Sequence, residues 1–245
     1  MGRLQVLNNV DHHDLHIRLG HGAAWGDAVN LVLVFPTEYE EVQREYPILI
    51  RKDAEGAWQA AAMLGFELNE NLFLKDGGWD ARYVPAVRRL EPFRLAFPEA
   101  RPGEPPAADP IVQIDPDHPR ISRDEGAPLF RSAGGHAPYL EHMIRILRAV
   151  HVGVEIVQPM FTAFERHGLI EPARMEITLH DGARINVPDV YAIGREPLAR
   201  LSAEALAELH RAGFLRLAFM LSASLANVPH LIDRQARTGP RGAPA

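Results

Sequence analysis

The sequence predicts an α+β fold, with a mostly antiparallel sheet built from short strands and hairpins, about four helices and a C-terminal helical segment. Two observations indicate hairpins: short apolar runs flank the turn residues Asp53-Ala54-Glu55-Gly56, and alternating runs flank His180-Asp181-Gly182. A third observation argues against a parallel sheet, because the strand-like runs do not alternate with long helical runs. We therefore expect neighbouring strands to be joined directly by turns.

The composition is typical of a globular chain that folds without disulfide or metal cross-links: 245 residues, 47% hydrophobic and 24% charged. The length fits one large domain, or one domain with an added lobe. Because the chain has no cysteine, disulfides, thiolate metal sites and thiol nucleophiles are excluded. A net charge of −6 gives no electrostatic reason to expect a nucleic-acid partner.

The first helix signal is Thr37, which precedes a run of acidic residues and is predicted to be the N-cap of a short helix with Glu40 closing a capping box. We expect this helix to end before Pro47, since the residue before a proline favours extended geometry. The apolar runs at 47–50 and 57–64 then predict the two strands of the first hairpin.

A further short strand and turn are predicted at residues 71–78, and residues 92–97 alternate like a half-buried strand. Seven prolines fall between Pro98 and Pro119, a density that forbids a continuous helix or a central strand. We interpret this stretch as a surface connection in which residues 111–114 form at most a short edge strand. Around it we expect parts of one compact domain: an N-terminal α+β lobe (1–97), the connection (98–119), a C-terminal α+β lobe (120–233) and a flexible tail (234–245).

In the second half of the chain, apolar residues from Leu140 to Val150 recur with a period of 3.6, which predicts a helix with one buried face. Ser202 is the predicted N-cap of another helix, which Gly213 ends. A last apolar helix is predicted from about residue 214 to about residue 227.

Targeting signals are expected to be absent. Residues 1–11 contain one cation and no apolar stretch, so we expect no Sec signal peptide. The most apolar stretch, residues 215–228, contains an arginine and three polar side chains and is shorter than a membrane span requires. We therefore expect a protein without a membrane span, either cytoplasmic or associated with the surface through a non-Sec route.

A metal site is one hypothesis for the histidine-rich segment near the start of the chain. If this segment is a strand, its period of two places His12, Asp14 and His16 on one face, and a His-x-Asp pair with another histidine is a ligand set used by non-haem iron enzymes. The alternative, which we favour, is that these polar side chains are simply solvated.

The segment from Trp79 to Phe93, here called the 79–93 segment, is the strongest candidate for an interaction surface. Tryptophan, tyrosine and arginine contribute most of the binding energy at protein interfaces. The alternative is that its rings pack in the core while its arginines pair with acids. Glu38 and Glu171 are additional candidates, and the alternative for each is a role as a helix-cap or loop carboxylate. The candidate contact residues within the segment are Trp79, Asp80, Arg82, Tyr83, Arg88, Arg89 and Phe93.

Common catalytic templates are missing from the sequence. It has no Gly-x-x-x-x-Gly-Lys phosphate loop, no Gly-x-Gly-x-x-Gly, no His-Glu-x-x-His and no Gly-x-Ser-x-Gly elbow. These absences disfavour nucleotide-dependent and hydrolytic functions, and we expect no cofactor.

Several short motifs occur in a characteristic order: His12-x-x-Leu15, Tyr46-Pro47-Ile48, Glu70-Asn71-Leu72-Phe73-Leu74, Trp79-Asp80-Ala81-Arg82-Tyr83-Val84-Pro85, Leu169-Ile170-Glu171-Pro172 and Leu225-x-Asn227-x-x-x-Leu231. In this order and spacing the chain resembles the SapC family of bacterial proteins over nearly its whole length. The family is named for a component associated with a bacterial surface layer. The resemblance therefore implies an accessory role at the surface layer or envelope, with a surface-layer, export or outer-membrane receptor component as protein partner. It implies no known reaction, and the family pattern has an arginine where this chain has His16.

Three hypotheses for function follow. The leading one is a non-enzymatic protein that acts through protein contacts. The second is a metal-dependent or peptide-modifying enzyme that is accessory to oxygenase-like or halogenase-like partners, with His12 and Asp14 as its first candidate residues. The third is a small-molecule binding module, which would show a closed apolar pocket lined by Trp58, Phe73, Trp79 and Tyr83.

Overall fold

The computed structural model of the chain describes residues 4–96 and 110–237. The fold is α+β, as predicted. Its strands are β1 (Gln5–Val6), β2 (His16–Ile17), β3 (Leu31–Leu33), β4 (Ile48–Lys52), β5 (Trp58–Met63), β6 (Leu74–Lys75), β7 (Gly78–Trp79), β8 (Phe93–Ala96), β9 (Ile111–Ile114), β10 (Ile121–Ser122), β11 (Ala127–Pro128), β12 (Ile170–Pro172), β13 (Met175–Thr178), β14 (Arg184–Val187) and β15 (Tyr191–Ile193). Its helices are α1 (Tyr39–Val42), α2 (Ala86–Leu90), α3 (Pro138–Arg166), α4 (Arg195–Ala199), α5 (Ala203–Arg211), α6 (Phe214–Ser224) and α7 (Val228–Arg237).

All strand pairs of the described residues are antiparallel. The largest sheet has five strands in the order β12-β15-β4-β5-β3, and two smaller sheets have the orders β1-β9-β8 and β10-β2-β11. Strand β9 is therefore the centre of its sheet, bonded to β1 and β8, and not the edge strand predicted from the surrounding prolines. The prolines flank residues 111–114 without falling inside them, so every amide that the ladder needs is present.

Both predicted hairpins are confirmed. In the first, β4 pairs with β5, and the Asp53 side chain accepts hydrogen bonds from the backbone amides of Glu55 and Ala57. Gly56 closes this turn at φ +84°, a conformation that glycine adopts without strain. In the second, β13 pairs with β14 around Asp181, whose carboxylate accepts from the amide of Ala183.

Apolar side chains form two cores, which we call the main core and the second core. The main core lies between the five-stranded sheet, the C-terminal half of α3 and helices α5 to α7. The second core lies between the N-terminal half of α3, α2 and the strands β2, β8 and β9. Each core contains residues from both sides of the proline-rich connection, so the distribution of buried side chains does not follow the predicted lobes.

Helix α3 is much longer than the sequence predicted. It has 29 residues and is therefore about 43 Å long, whereas the apolar period indicated only residues 140–150. Pro159 lies inside it, a residue that removes one helical hydrogen bond. The helix continues because its two halves are buried in different cores: Leu140, Met143 and Leu147 in the second, and Met160, Phe161 and Phe164 in the main core.

The chain crosses α3 closely at Gly153. A Cβ atom at this position would lie 2.7 Å from the Cβ of Phe35 and 2.8 Å from the hydroxyl of Thr37, so only glycine fits. The Thr37 hydroxyl donates to the carbonyl of Ala149 instead of capping a helix, which corrects the predicted capping box. The N-cap is instead Phe35, at the start of the 3-10 turn Pro36–Glu38 that precedes α1, and the carboxylate of Glu38 accepts from the amide of Phe35.

The C-terminal helices begin where the sequence predicts, but the last helix ends later than predicted. Ser202 accepts a hydrogen bond from the amide of Ala205, which confirms it as the N-cap of α5. Helix α7 continues to Arg237, four residues into the predicted tail, and residues 238–245 lie outside the described part of the chain.

Within the described residues, the segment Phe214–Arg237 is long and apolar enough to cross a membrane by length and composition. The segment is longer than residues 215–228, on which the sequence-based expectation rested, because α7 extends it to 24 residues, and the absence of a membrane span stays a prediction. Core helices of globular proteins meet the same criterion, and Leu217, Leu221 and Leu231 of this segment are buried in the main core.

Replacing Gly153 tests the crossing. We expect Gly153→Ala to lower the free energy of unfolding by about 1 to 2 kcal/mol, since overpacking costs more than the helix propensity of alanine returns. Urea denaturation measures this change. The control is Gly22→Ala, which meets no atom within 4 Å and should leave stability within about 0.5 kcal/mol of the parent. Equal stability of the two variants would contradict the crossing.

Candidate functional site

The histidine-rich segment does not form the predicted metal-binding face. Residues 12–15 form a turn and only His16 belongs to β2, so the period of two on which the prediction depended does not apply. His12 is buried, with Nδ1 accepting from the amide of Asn8 and Nε2 bonded to Gln5. Asp14 is paired with Arg123 instead.

His16 is bonded through Nδ1 to the backbone carbonyl of Asp14. Across residues 4–96 and 110–237, no three histidine, aspartate or glutamate side chains are grouped so that they could hold a metal ion. The geometry therefore gives no support to the metal-dependent hypothesis.

The 79–93 segment is fixed at its start by Tyr46, which is completely buried. The Tyr46 hydroxyl donates to the carbonyl of Tyr83 and accepts from the indole Nε1 of Trp79 at 2.9 Å. Burial raises the pKa of Tyr46, so its hydroxyl keeps the proton that it donates. One buried hydroxyl thus holds the side chain of Trp79 and the backbone of Tyr83 in place.

Two charged residues from outside the segment hold its backbone. The carboxylate of Glu45 accepts from the amides of Arg82, at 2.9 Å, and Tyr83, at 3.2 Å. Arg234 of α7 donates to both the carboxylate and the carbonyl of Asp80 and stacks on the ring of Phe73, 4.3 Å from its centre. The segment is therefore tied both to the turn that follows α1 and to α7.

Glu38 is a buried carboxylate beneath the segment. It accepts from the Tyr83 hydroxyl at 2.9 Å, from the Ala86 amide at 2.8 Å and from the Phe35 amide at 3.1 Å. Burial raises the pKa of Glu38 more than these three donors and the charge of Arg89 lower it. Its role is structural, because every carboxylate oxygen is occupied by a donor of the fold.

Two further candidates, Arg88 and Arg89, are held by contacts within the fold. Arg88 donates to the carbonyl of Gly26 and forms an ion pair with Glu91 at 2.8 Å. Arg89 lies over the ring of Tyr83 and bonds to His142 at 2.7 Å. Burial and two neighbouring arginines lower the pKa of His142, which favours the neutral ring as acceptor.

The exposure of the candidates divides them into three groups. Asp80 and Arg82 are exposed, and Trp79, Tyr83, Arg88 and Arg89 are partly exposed. Phe93 is completely buried in the second core and offers no surface to a partner. Glu171, the other carboxylate candidate, is exposed on β12, where it packs against Gly194.

A buried polar cluster next to Trp79 was not found from the sequence; we call it the polar node, formed by His21, Asp27 and Arg120. The carboxylate of Asp27 is 1% exposed and lies 3.0 Å from the guanidinium of Arg120 and 3.2 Å from Nδ1 of His21. The His21 ring packs edge-on against Trp79, and Arg120 stacks on Trp25.

The polar node keeps Asp27 charged. Burial acts to raise the pKa of Asp27, but hydrogen bonds from His21 and the Gly22 amide, with the charge of Arg120, outweigh it and hold the pKa below its usual value of 3.8. Asp27 and Arg120 are 93 residues apart, and neither stands in a motif that signals the other.

Two of the four rings expected to line one apolar pocket, Trp58 and Phe73, lie in different clefts. Trp58 lines a cleft with Phe35 and Val157, whereas Phe73 lies at a polar cleft with Arg234. The fold therefore does not bring together the set of lining residues that was predicted for a small-molecule pocket.

Comparison with known proteins assigns a family but no relative of known activity. A family model described as SapC matches residues 7–231, nearly the whole chain. No curated protein and no solved structure matches the chain.

The hydroxyls of Tyr83 and Tyr39 provide a matched pair of variants, since one donates to Glu38 and the other donates to no described residue. We expect Tyr83→Phe to lower the free energy of unfolding by about 1 to 3 kcal/mol, since it removes a donor to a buried carboxylate. Tyr39→Phe should be neutral or stabilising, because the buried Tyr39 hydroxyl has no hydrogen-bond partner among the described residues. Thermal and urea unfolding measure both. The reverse order of stabilities would show that the Glu38 assignment is wrong.

The polar node is tested by Asp27→Asn. The substitution leaves Arg120 buried without its counter-charge, and we expect a loss of about 3 to 5 kcal/mol in the free energy of unfolding. Asp80→Asn removes the partner of Arg234 at the surface and should cost no more than about 1 kcal/mol.

Comparison of the parent protein with Asp27→Asn also predicts how the free energy of unfolding depends on pH. Folding lowers the pKa of Asp27. The charged Asp27 side chain therefore contributes fully to stability above pH 3.8, and this contribution is lost as the pH falls through the folded-state pKa. The gap between the unfolding free energies of parent and Asp27→Asn should therefore narrow below that pH. A constant gap across the acid range would exclude a charged Asp27.

Proposed function

The chain belongs to the SapC family, and from this premise we propose that it acts through contacts with other proteins as an accessory of the surface layer or cell envelope. The partner that we propose is a surface-layer, export or outer-membrane receptor component. The place of action that we propose is the cytoplasm, or the cell surface reached by a route other than Sec.

The observation that carries the proposal is the rigid presentation of Asp80 and Arg82 on the 79–93 segment. Both side chains are exposed, while the backbone beneath them is held by Tyr46, Glu45 and Arg234. A surface held in one conformation loses little conformational entropy when a partner binds. Such preorganisation favours a contact surface over a mobile loop.

Arg82 is the residue of this surface best placed to bind a partner. Its backbone amide bonds to Glu45, but its guanidinium has no hydrogen-bond or ion-pair partner in residues 4–96 and 110–237. The partly exposed rings of Trp79 and Tyr83 lie in the same segment. An arginine beside two aromatic rings is the residue combination that dominates binding energy at interfaces.

The proposal is tested by recovering partners from cells that express the protein natively. A tagged chain is crosslinked in the cells and purified, and the bound proteins are identified by mass spectrometry. We expect an envelope, transporter or surface-layer component to be enriched, and Arg82→Glu to reduce its recovery at least about five-fold.

The control is Arg174→Glu, which makes the same charge change at an exposed arginine outside the segment. It should recover the partner as the parent does. Recovery of no envelope, transporter or surface-layer component with the parent chain would count against the proposed role. Equal recovery with Arg82→Glu would place the contact elsewhere on the molecule.

A further inference from the structure

The middle of α3 lies between the two cores and is only half covered. Val150 and Val157 are partly exposed, and Val154 between them is 51% exposed. One turn of the same face toward each end, Leu147 and Phe161 are buried. The helix therefore bridges a gap in the apolar interior. The gap involves three successive valines of one face and is more than the exposure of a single side chain.

This gap contains two apolar compartments that share Phe35 and Val154. The first, of about 190 Å³, is walled by Leu33, Trp58 and Val157. The second, of about 340 Å³, is walled mainly by side chains of α2, β8 and α3. Together they have the size and the predominantly apolar lining of small-molecule sites, which range over about 300 to 1,000 Å³.

Charge distinguishes the two ends of the cleft. Arg94 lines the larger compartment, and its guanidinium contacts only the carbonyl of Phe93, with no acidic partner among the described residues. Asp53 lines the smaller compartment, but its oxygens are occupied by the hairpin turn and by Gln59. The cleft thus offers an unpaired cation at one end and no available anion at the other.

We propose that this cleft binds a free long-chain carboxylate, with the alkyl chain in the apolar compartments and the carboxylate at Arg94. An alkyl chain can follow the apolar lining past Val154 and Phe35, which both compartments share, better than a rigid ring can. A guanidinium at the rim binds a carboxylate by charge-assisted hydrogen bonds while the chain leaves water. The end of the 79–93 segment, with Val87, Leu90 and Phe93, lines the larger compartment, but Asp80 and Arg82, the exposed residues proposed for protein contacts, line neither compartment.

The test is calorimetric titration of the full chain with octanoate, decanoate and dodecanoate below their micelle concentrations, and with 1-decanol as the uncharged analogue. We expect saturable binding of one ligand per chain, with affinity rising roughly four-fold for each added methylene. Decanoate should bind at least about five-fold more tightly than 1-decanol because only the carboxylate pairs with Arg94.

Two variants locate the ligand. Arg94→Gln should remove the preference for decanoate over 1-decanol, whereas Arg148→Gln, on α3 but outside both compartments, should keep it. Val154→Trp fills the space shared by the compartments from an exposed position, and we expect it to abolish binding of both ligands without lowering the melting temperature.

Several results would overturn the proposal. They are a lack of saturable binding, equal affinity of the parent for decanoate and 1-decanol, or binding that Val154→Trp leaves intact. Binding to vesicles of phosphatidylglycerol without binding to free decanoate would identify a membrane surface instead. The Arg82→Glu variant should bind decanoate normally, so this test and the test of protein contacts fail independently.

Discussion

The fold depends on one long helix that is shared by two hydrophobic cores. Helix α3 buries its N-terminal apolar residues against the small sheets and its C-terminal ones against the five-stranded sheet. At Gly153 the residues Phe35 and Thr37 cross the helix closely. This crossing lies between the part of α3 that is buried in the second core and the part that is buried in the main core. The half-covered middle of the helix, and hence the apolar cleft, is the geometric result of placing two cores at the two ends of a rigid rod.

Buried charged side chains connect parts of the chain that the apolar cores do not join. Asp27 and Arg120 join residues near the start of the chain to residues beyond the proline-rich connection, and Glu38 joins the start of α1 to the 79–93 segment. Each carboxylate is surrounded by donors, which is the condition under which a buried charge is tolerated. The segment proposed for protein contacts is consequently rigid because it rests on these polar anchors, while its own outer side chains remain exposed.

Local turn and cap chemistry predicted much of the fold from the sequence. Both hairpins and the Ser202 cap depend on residues within a few positions of one another, and the structure has them. Long-range partners explain what could not be predicted. Thr37 bonds to a carbonyl on α3 in place of its own helix, and the histidine face required a strand that the chain does not form. The 79–93 segment was identified by its composition. Composition alone could not predict that Phe93 is buried in the second core, because burial depends on contacts with distant residues.

The pairing of the first strands has a consequence for synthesis of the protein. Strand β1 pairs with β9, and β2 pairs with β10 and β11, so the partners of the first twenty residues end at Pro128. A ribosome must therefore reach residue 114 before β1 can pair and residue 122 before β2 can pair, which is close to half of the 245 residues. During that interval the strands of the amino-terminal segment have no partner, and unpaired strand edges of this kind make a nascent chain prone to aggregation.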